Sequence, residues 1–268
     1  MTLPRITSTA NPRIQAAARL RDRRERESRG LTLVDGAREI GRAVAAGIDV
    51  VELFACLDQA VSVDALAVLV AARKRRIDLA EVSPTVLAKV AFGDRSDGLV
   101  ALIRTPPADL AGLRLPANPL IVVAESVEKP GNLGAILRSA DGAGADALIA
   151  ADPRTDVFNP NAIRASLGTI FAVPIAVATT AATIGWLQKA GISIVVARVD
   201  GAVSYVDANL RGPLAIVLGS EADGLADAWA GPGIRAVSLP MLGIADSLNV
   251  SAAAAVLLYE ARRQRDQS

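Results

Sequence analysis

The 268-residue chain contains no histidine, and this absence removes several kinds of chemistry. Histidine is the usual general base near neutral pH, a member of the Ser-His-Asp triad and a common zinc ligand. The only cysteine is Cys56, so a disulfide framework is excluded as well. We therefore expect neither a metal site nor a hydrolase triad.

Aromatic residues and long apolar runs are also scarce. Aromatics make up 3% of the chain although 51% of it is hydrophobic, so the core must consist of aliphatic residues. Such a composition is typical of an α/β protein whose parallel strands are buried on both faces. Charged or turn residues interrupt every apolar run, which predicts that no segment spans a membrane. With no signal-peptide pattern and one cysteine, we expect a cytoplasmic protein.

The charge is unevenly distributed, although the net charge of the chain is only +1. Residues 1–30 hold eight arginines and three acidic residues, so this segment carries +5 and the remainder −4. A basic arm of this kind is typical of polyanion binding. A solvated helix with Arg/Glu pairs would give the same composition, and both interpretations stay open.

Residues 31–105 alternate between short apolar strands and helices, which predicts a compact α/β domain after the basic arm. A segment with four prolines, 106–119, has the composition of a linker. In residues 120–268, strands again alternate with helices, as in a parallel sheet. The strands predicted there are 120–124, 147–150, 171–178, 192–197, 214–218 and 236–239.

Three loops of the second half follow predicted strands and precede helices, where open α/β sheets bind their ligands. They begin at Glu125, Leu218 and Leu239, and the last leads into an Ala-rich helix through the polar junction 247–251. The first loop lacks both the G-x-G-x-x-G and the P-loop patterns. A nucleotide-dependent oxidoreductase is therefore unsupported.

The three loops carry sequences that resemble the signature motifs of the SpoU/TrmH family. We call NLGAILRSADGAGA (132–145) motif 1, IVLGSEADGL (216–225) motif 2 and LPMLGIADSLNVSAAAAVLLYEA (239–261) motif 3. Members of this family are RNA ribose 2′-O-methyltransferases of the SPOUT superfamily. The first half is similar to the ribosomal-protein-like substrate-binding domain that many members carry.

The resemblance implies a C-terminal trefoil-knotted α/β domain that binds S-adenosylmethionine in the knot and works as a homodimer. By position in the motifs, it implies catalytic roles for Arg138, Asn132, Glu221, Ser247 and Asn249. It implies cofactor contacts, largely through the backbone, at Ala197, Leu218, Gly219, Leu239, Met241 and Leu248.

The family's proton-abstracting residue corresponds to Arg138, yet a guanidinium normally stays protonated. Holding the RNA phosphate and stabilising developing alkoxide charge is the alternative role. Arg164 matches a position that is often basic in the family and is expected to contact RNA, as are Arg38 and Arg42, which share a helix face.

The predicted substrate is 23S rRNA, because the tRNA enzymes of this family tend to lack a separate N-terminal domain. A tRNA ribose methyltransferase and a non-catalytic RNA-binding protein of the same fold are the alternatives. Antibiotic-resistance methyltransferases and housekeeping enzymes are equally similar, so the resemblance does not separate these roles.

Overall fold

The chain folds into two compact units, each built around its own β-sheet. The computed structural model describes residues 5–92, 97–220 and 224–267. The first unit comprises Met1–Pro106 and Phe158–Ala172, and the second comprises Pro107–Val157 and Val173–Ser268.

The described elements alternate between helix and strand through most of the chain. In order they are α1 (Pro12–Arg19), α2 (Arg23–Arg29), β1 (Leu31–Asp35), α3 (Ala37–Ala45), β2 (Val50–Ala55), α4 (Val63–Arg75), β3 (Leu79–Glu81), α5 (Pro84–Val90), β4 (Leu99–Arg104), β5 (Leu120–Glu125), α6 (Pro130–Gly142), β6 (Ala147–Ala151), α7 (Pro160–Ala165), β7 (Ile175–Ala178), α8 (Thr180–Lys189), β8 (Ser193–Ala197), β9 (Val203–Ser204), β10 (Leu214–Leu218), β11 (Ile234–Ser238) and α9 (Val250–Asp266).

The first unit has a four-stranded mixed sheet in the order β1-β4-β2-β3. Strand β4 pairs antiparallel with both β1 and β2, whereas β2 and β3 are parallel. Helix α4 begins where its sequence predicts, because the Ser62 side chain accepts a hydrogen bond from the Ala65 amide. Cys56 is buried in the core of this unit.

The segment predicted as a basic arm is folded onto this sheet. Ile14, Ala17 and Leu20 are buried in the same core cluster as Phe54. The spacing of these apolar residues is helical, and helix α1 turns them towards the core. Residues 12–29 therefore form part of the first unit.

Several arginines of this segment hold the fold together. Arg13 forms ion pairs with Glu52 and Asp78, at 2.6 and 2.9 Å. The Arg26 side chain is buried and donates to the carbonyls of Leu20 and Arg21, at 2.8 and 2.9 Å. The positive charge of the segment is thus largely committed to local structure.

The segment Phe158–Ala172 follows β6 of the second unit in the chain but belongs to the first unit. Its helix α7 packs against β1, and Thr32 of that strand donates a 2.8 Å hydrogen bond to the Phe158 carbonyl. Gly168 has φ of 82°, and a Cβ there would crowd Arg42 and the backbone of Glu39. We call this segment the crossing segment.

The second unit has a seven-stranded sheet in the order β7-β6-β5-β10-β8-β11-β9. All of its neighbouring strands pair in parallel. Strands β5 and β10 are buried along their whole length, which explains their unbroken apolar sequences. The carboxyl ends of these strands share one edge, and the loops carrying the three motifs start there.

Two element predictions in this unit differ from the structure. Strand β7 begins at Ile175, and Thr169–Phe171 forms a 3₁₀ turn in place of the predicted strand start. Pro174 separates the two, because its nitrogen cannot donate a hydrogen bond to a neighbouring strand. The short strand β9 was not predicted, since two residues carry no periodicity.

The proline-rich segment 106–119 packs against the second unit. Leu113 is buried in its core, with Leu110 and Leu115 partly buried beside it. The Ala108 carbonyl accepts a 3.0 Å hydrogen bond from the Val177 amide. None of the described helices has the length and apolar character needed to cross a membrane.

Candidate functional site

A cavity of about 700 Å³ opens at the carboxyl edge of the second sheet. The loops after β8, β10 and β11 and the start of α9 form its walls. Its volume lies in the range of small-molecule and cofactor sites, roughly 300–1,000 Å³. All six residues predicted to contact the cofactor line it: Ala197, Leu218, Gly219, Leu239, Met241 and Leu248.

Two segments of motif 2, residues 218–220 and 224–225, lie side by side along one wall of this cavity, and we call this pair of segments the motif 2 turn. Ser220 and Gly224 exchange two backbone hydrogen bonds, at 3.0 and 3.2 Å. A Cβ at Gly219 would overlap the Gly224 carbonyl group, so only glycine lets the two arms of the turn lie this close. Glu221, a predicted catalytic residue, lies outside the described residues.

Motif 3 leaves β11 as an irregular segment and enters α9 through Asn249. The Asn249 Oδ1 accepts hydrogen bonds from the Ser251 amide at 2.9 Å and from the Ser251 hydroxyl at 2.6 Å, which caps the helix. Its Nδ2 donates to Asn132 Oδ1 of motif 1 at 3.3 Å. The cap thus fixes the orientation of the Asn249 amide, and the structure brings two predicted catalytic residues together.

The other predicted catalytic side chains have different surroundings. Ser247 lines the cavity beside Leu248. Arg138 is exposed on α6 and is not among the residues that line the cavity. Within the described part of the chain, no hydrogen bond or ion pair occupies its guanidinium group. Arg138 is therefore available to bind an external group.

The cavity also has a charged pair that the sequence did not point to. Arg198 donates two hydrogen bonds to the Asp200 carboxylate, at 2.8 and 3.1 Å, and both residues line the cavity. These hydrogen bonds raise the pKa of Arg198 and lower that of Asp200. Their position directly after β8, at the carboxyl end of a parallel strand, is the signal that could have found them.

Arg164 has a structural partner in the first unit. Its Nη1 lies 2.9 Å from Asp35 Oδ2 and also donates to the Phe92 carbonyl. Burial raises the pKa of Asp35 to about 6, and the Phe92 amide and Arg164 oppose this shift. Because Asp35 Oδ1 is buried without a partner, Arg164 carries much of the compensation for this carboxylate.

The two other arginines predicted to contact RNA lie on α3. Arg42 donates a 2.8 Å hydrogen bond from Nη1 to the Leu167 carbonyl in the crossing segment. Arg38 lies 3.4 Å from the buried Glu39 carboxylate. Both side chains face solvent at least in part, so they can still contact an anion.

Two family models match the chain, one for each half. The model of the SpoU rRNA Methylase family matches residues 119–259, and that of the MRM3-like substrate binding domain matches residues 11–101.

Full-length relatives are also found. A 23S rRNA (uridine(2479)-2'-O)-methyltransferase from Streptomyces viridochromogenes is 35% identical, over 97% of this chain and 92% of its own length. An RNA 2'-O ribose methyltransferase of known crystal structure is 42% identical in sequence and superposes with a TM-score of 0.86. The match covers 97% of this chain and 99% of that one.

The SpoU methyltransferase AviRb from Streptomyces viridochromogenes, solved with its cofactor AdoMet, is 31% identical with a TM-score of 0.87. That match covers 96% of this chain and 100% of AviRb. With its motif-bearing loops at one sheet edge and a family match over more than half of its length, the chain belongs to the SpoU rRNA methylase family.

Proposed function

We propose that the protein transfers the methyl group of S-adenosylmethionine to a ribose 2′-hydroxyl of ribosomal RNA. The observation that carries the proposal is the cavity at the carboxyl edge of the second sheet. The six residues that the family resemblance implies as cofactor contacts line this cavity, together with Ser247. Relatives named as 23S rRNA 2′-O-methyltransferases support rRNA as the substrate, and one of them matches 97% of this chain.

The residues of the cavity suit S-adenosylmethionine. Leu218, Leu239 and Leu248 offer apolar contact for a purine ring, and Gly219 leaves the motif 2 backbone open to hydrogen bonding. The Asp200 carboxylate can accept hydrogen bonds from a ribose or an amino group. When bound, the cofactor supplies a methyl group already activated by the adjacent sulfonium.

The protein then has to position the target hydroxyl, exclude water and remove a proton. Asn132 and Asn249, joined by their hydrogen bond, would orient the ribose, with Ser247 beside them on the cavity wall. Arg138 would bind the neighbouring phosphate and stabilise charge that develops on the attacking oxygen. The role of Glu221, to anchor one of these side chains, stays a prediction.

We also infer that the active protein is a cytoplasmic homodimer with the cofactor held in a trefoil knot. Motif 3 exposes two large apolar side chains completely, Leu242 at 99% and Ile244 at 104%, and α9 exposes Tyr259. Exposed large apolar side chains such as these are typical of a surface that another subunit covers. Sedimentation of the protein should give twice the monomer mass, and Ile244→Asp should shift it towards the monomer.

One relative matched over 97% of this chain methylates a uridine, whereas a guanosine enzyme, RlmB from Ralstonia nicotianae, matches 66% of it. Mapping of the methylated nucleotide in 23S rRNA would distinguish a uridine from a guanosine target. A role in antibiotic resistance stays a prediction, and drug susceptibility of a strain with and without the protein would test it.

The deciding experiment is incubation with tritiated S-adenosylmethionine and either 23S rRNA fragments or tRNA, followed by mapping of the methylated ribose. We expect label at one 2′-oxygen of the 23S fragments. Label in tRNA alone would support the tRNA alternative. Tight RNA binding without cofactor binding in calorimetry would indicate a non-catalytic RNA-binding protein.

A further inference from the structure

Glu125 is a buried acid that none of the roles above explains. It is the last residue of β5, in the interior of the second sheet, and only 2% of its surface is exposed. The next residue, Ser126, has φ of 50°, a left-handed conformation that costs a non-glycine residue roughly 1–2 kcal/mol. A buried carboxylate followed by a strained residue indicates that the geometry at this strand end serves a purpose.

The Glu125 carboxylate joins two other elements of the second unit. Its Oε1 accepts a 2.6 Å hydrogen bond from the Thr180 hydroxyl, at the first turn of α8. Its Oε2 accepts a 2.9 Å hydrogen bond from the backbone amide of Ala226. The positive end of the α8 dipole adds to the stabilisation of this negative charge. Both oxygens are therefore engaged, and both partners depend on them.

The contact with Ala226 connects Glu125 to the cavity. Ala226 follows Gly224 and Leu225, which line the cavity as the returning arm of the motif 2 turn. The turn is too tight for one arm to move alone, because Ser220 and Gly224 are hydrogen-bonded and Gly219 has no room for a Cβ. Displacement of Ala226 would therefore disturb Gly224 and Leu225 and, through the hydrogen bonds of Gly224, also Ser220.

We propose that Glu125 is a positioning residue that clamps the motif 2 turn to the first turn of α8 and so sets the shape of the cofactor cavity. This inference rests on the proposed S-adenosylmethionine site. The side chain acts through the Ala226 amide, and it controls cofactor affinity more than RNA affinity.

The test measures the dissociation constant for S-adenosylmethionine by calorimetry, and the KM values for cofactor and RNA, in three variants and one control variant. Glu125→Ala should raise the cofactor dissociation constant at least tenfold, because it frees the Ala226 amide. Thr180→Val removes one of the two hydrogen bonds of the Glu125 carboxylate and should raise the cofactor dissociation constant about threefold. Each KM for the cofactor should rise in parallel, with the KM for RNA unchanged.

Glu125→Gln should restore most of the affinity. Its amide oxygen can accept from the Ala226 amide, while its NH₂ group donates to the Thr180 hydroxyl. If Glu125 acted only through its buried charge, the neutral glutamine would not restore the cofactor affinity.

Thr183→Val is the matched control. Thr183 lies on the same helix and is fully buried. Its replacement by valine removes a 2.9 Å hydrogen bond to the Thr179 carbonyl and leaves the two hydrogen bonds of Glu125 in place. It should lower the melting temperature and leave the cofactor dissociation constant unchanged.

Wild-type affinity in both Glu125→Ala and Thr180→Val, or equal weakening in Thr183→Val, would overturn the inference. If Glu125→Ala does not fold, the result for Thr180→Val decides alone. A wild-type protein that fails to bind S-adenosylmethionine contradicts the proposed function itself, whereas wild-type binding with unaffected variants contradicts only the role of Glu125.

Discussion

One arginine from each unit, Arg164 and Arg138, was expected to bind RNA, and the two are in opposite situations. In the first unit, Arg164 is paired with the buried Asp35, and Arg26 is buried against backbone carbonyls. In the second unit, Arg138 is exposed, and nothing in the described part of the chain binds its guanidinium. Both arginines were predicted to bind RNA from their positions in the sequence. Of the two, Arg138 is the one whose guanidinium group is available to do so.

The difference shows how charge is used in each unit. The first unit is rich in arginine because ion pairs and carbonyl contacts tie its helices to its sheet, as Arg13 does with Glu52. The second unit also commits arginines to its fold, since Arg262 and Arg265 of α9 donate to backbone carbonyls, but Arg138 of motif 1 has no such contact among the described residues. A high arginine content therefore overstates the RNA-binding surface of the first unit, while a few polar residues mark the site of the second.

The largest expected effect is that of Arg138→Ala in the second unit. The substitution removes the charge proposed to stabilise the transition state, so kcat should fall by about 10²–10³-fold. The dissociation constant for S-adenosylmethionine should change less than twofold, since Arg138 does not line the cavity. Single-turnover methylation and calorimetry measure the two quantities.

Lys189→Ala is the control for that variant, because Lys189 is also an exposed cation on a helix of the second unit. It should keep normal turnover. Near-normal turnover in Arg138→Ala would contradict the catalytic role of Arg138, and with it the contrast between Arg138 and Arg164.

The second effect is a loss of stability in Arg164→Ala. Removing Arg164 leaves the buried Asp35 carboxylate without its cation, and we expect a loss of roughly 2–4 kcal/mol in the free energy of unfolding at pH 8. Urea denaturation measures it. Arg104→Ala breaks an exposed pair with Asp49 in the same unit and should cost less than about 1 kcal/mol. Equal losses in the two variants would contradict the structural role of Arg164.

The loss in Arg164→Ala should depend on pH. The pKa of Asp35 is about 6 in the folded protein against a usual value of 3.8, so the folded state binds the proton more tightly. Protonation of Asp35 therefore favours folding below pH 6, and this contribution disappears as the pH rises through 6. A protonated Asp35 no longer needs its cation, so the deficit should be smaller at pH 5 than at pH 8.

The smallest effect concerns RNA affinity in the first unit. The double variant Arg38→Ala/Arg42→Ala should weaken RNA binding about three- to tenfold. The slope of log affinity against log salt concentration should become shallower by roughly 0.7–0.9 for each phosphate contact that is lost. Arg23→Ala is the control, because Arg23 pairs with Glu27 on α2. Fluorescence anisotropy with labelled rRNA at several salt concentrations measures both, and an unchanged slope would place the RNA elsewhere.

Local features of the fold could be predicted from the sequence. The capped helix α4 and the apolar strands β5 and β10 follow from patterns within a few residues. The motifs likewise contain five of the six expected cofactor contacts that line the cavity, but neither Arg198 nor Asp200. The contacts of Arg164 with Asp35 and of Glu125 with Ala226 could not be predicted, because each joins residues that are far apart in the chain. Only the folded chain places these groups together.

The crossing segment has a consequence for how the chain is made. Translation proceeds from the amino terminus, so residues 1–106 leave the ribosome well before the helix that covers β1. Until Arg164 has been synthesised, the Asp35 carboxylate lacks its cation and Thr32 lacks the Phe158 carbonyl. The core cluster from Ile14 to Leu102 can form before that point, but β1 lacks the helix that packs against it. A gene fragment that ends at residue 106 would therefore encode the first unit without these contacts.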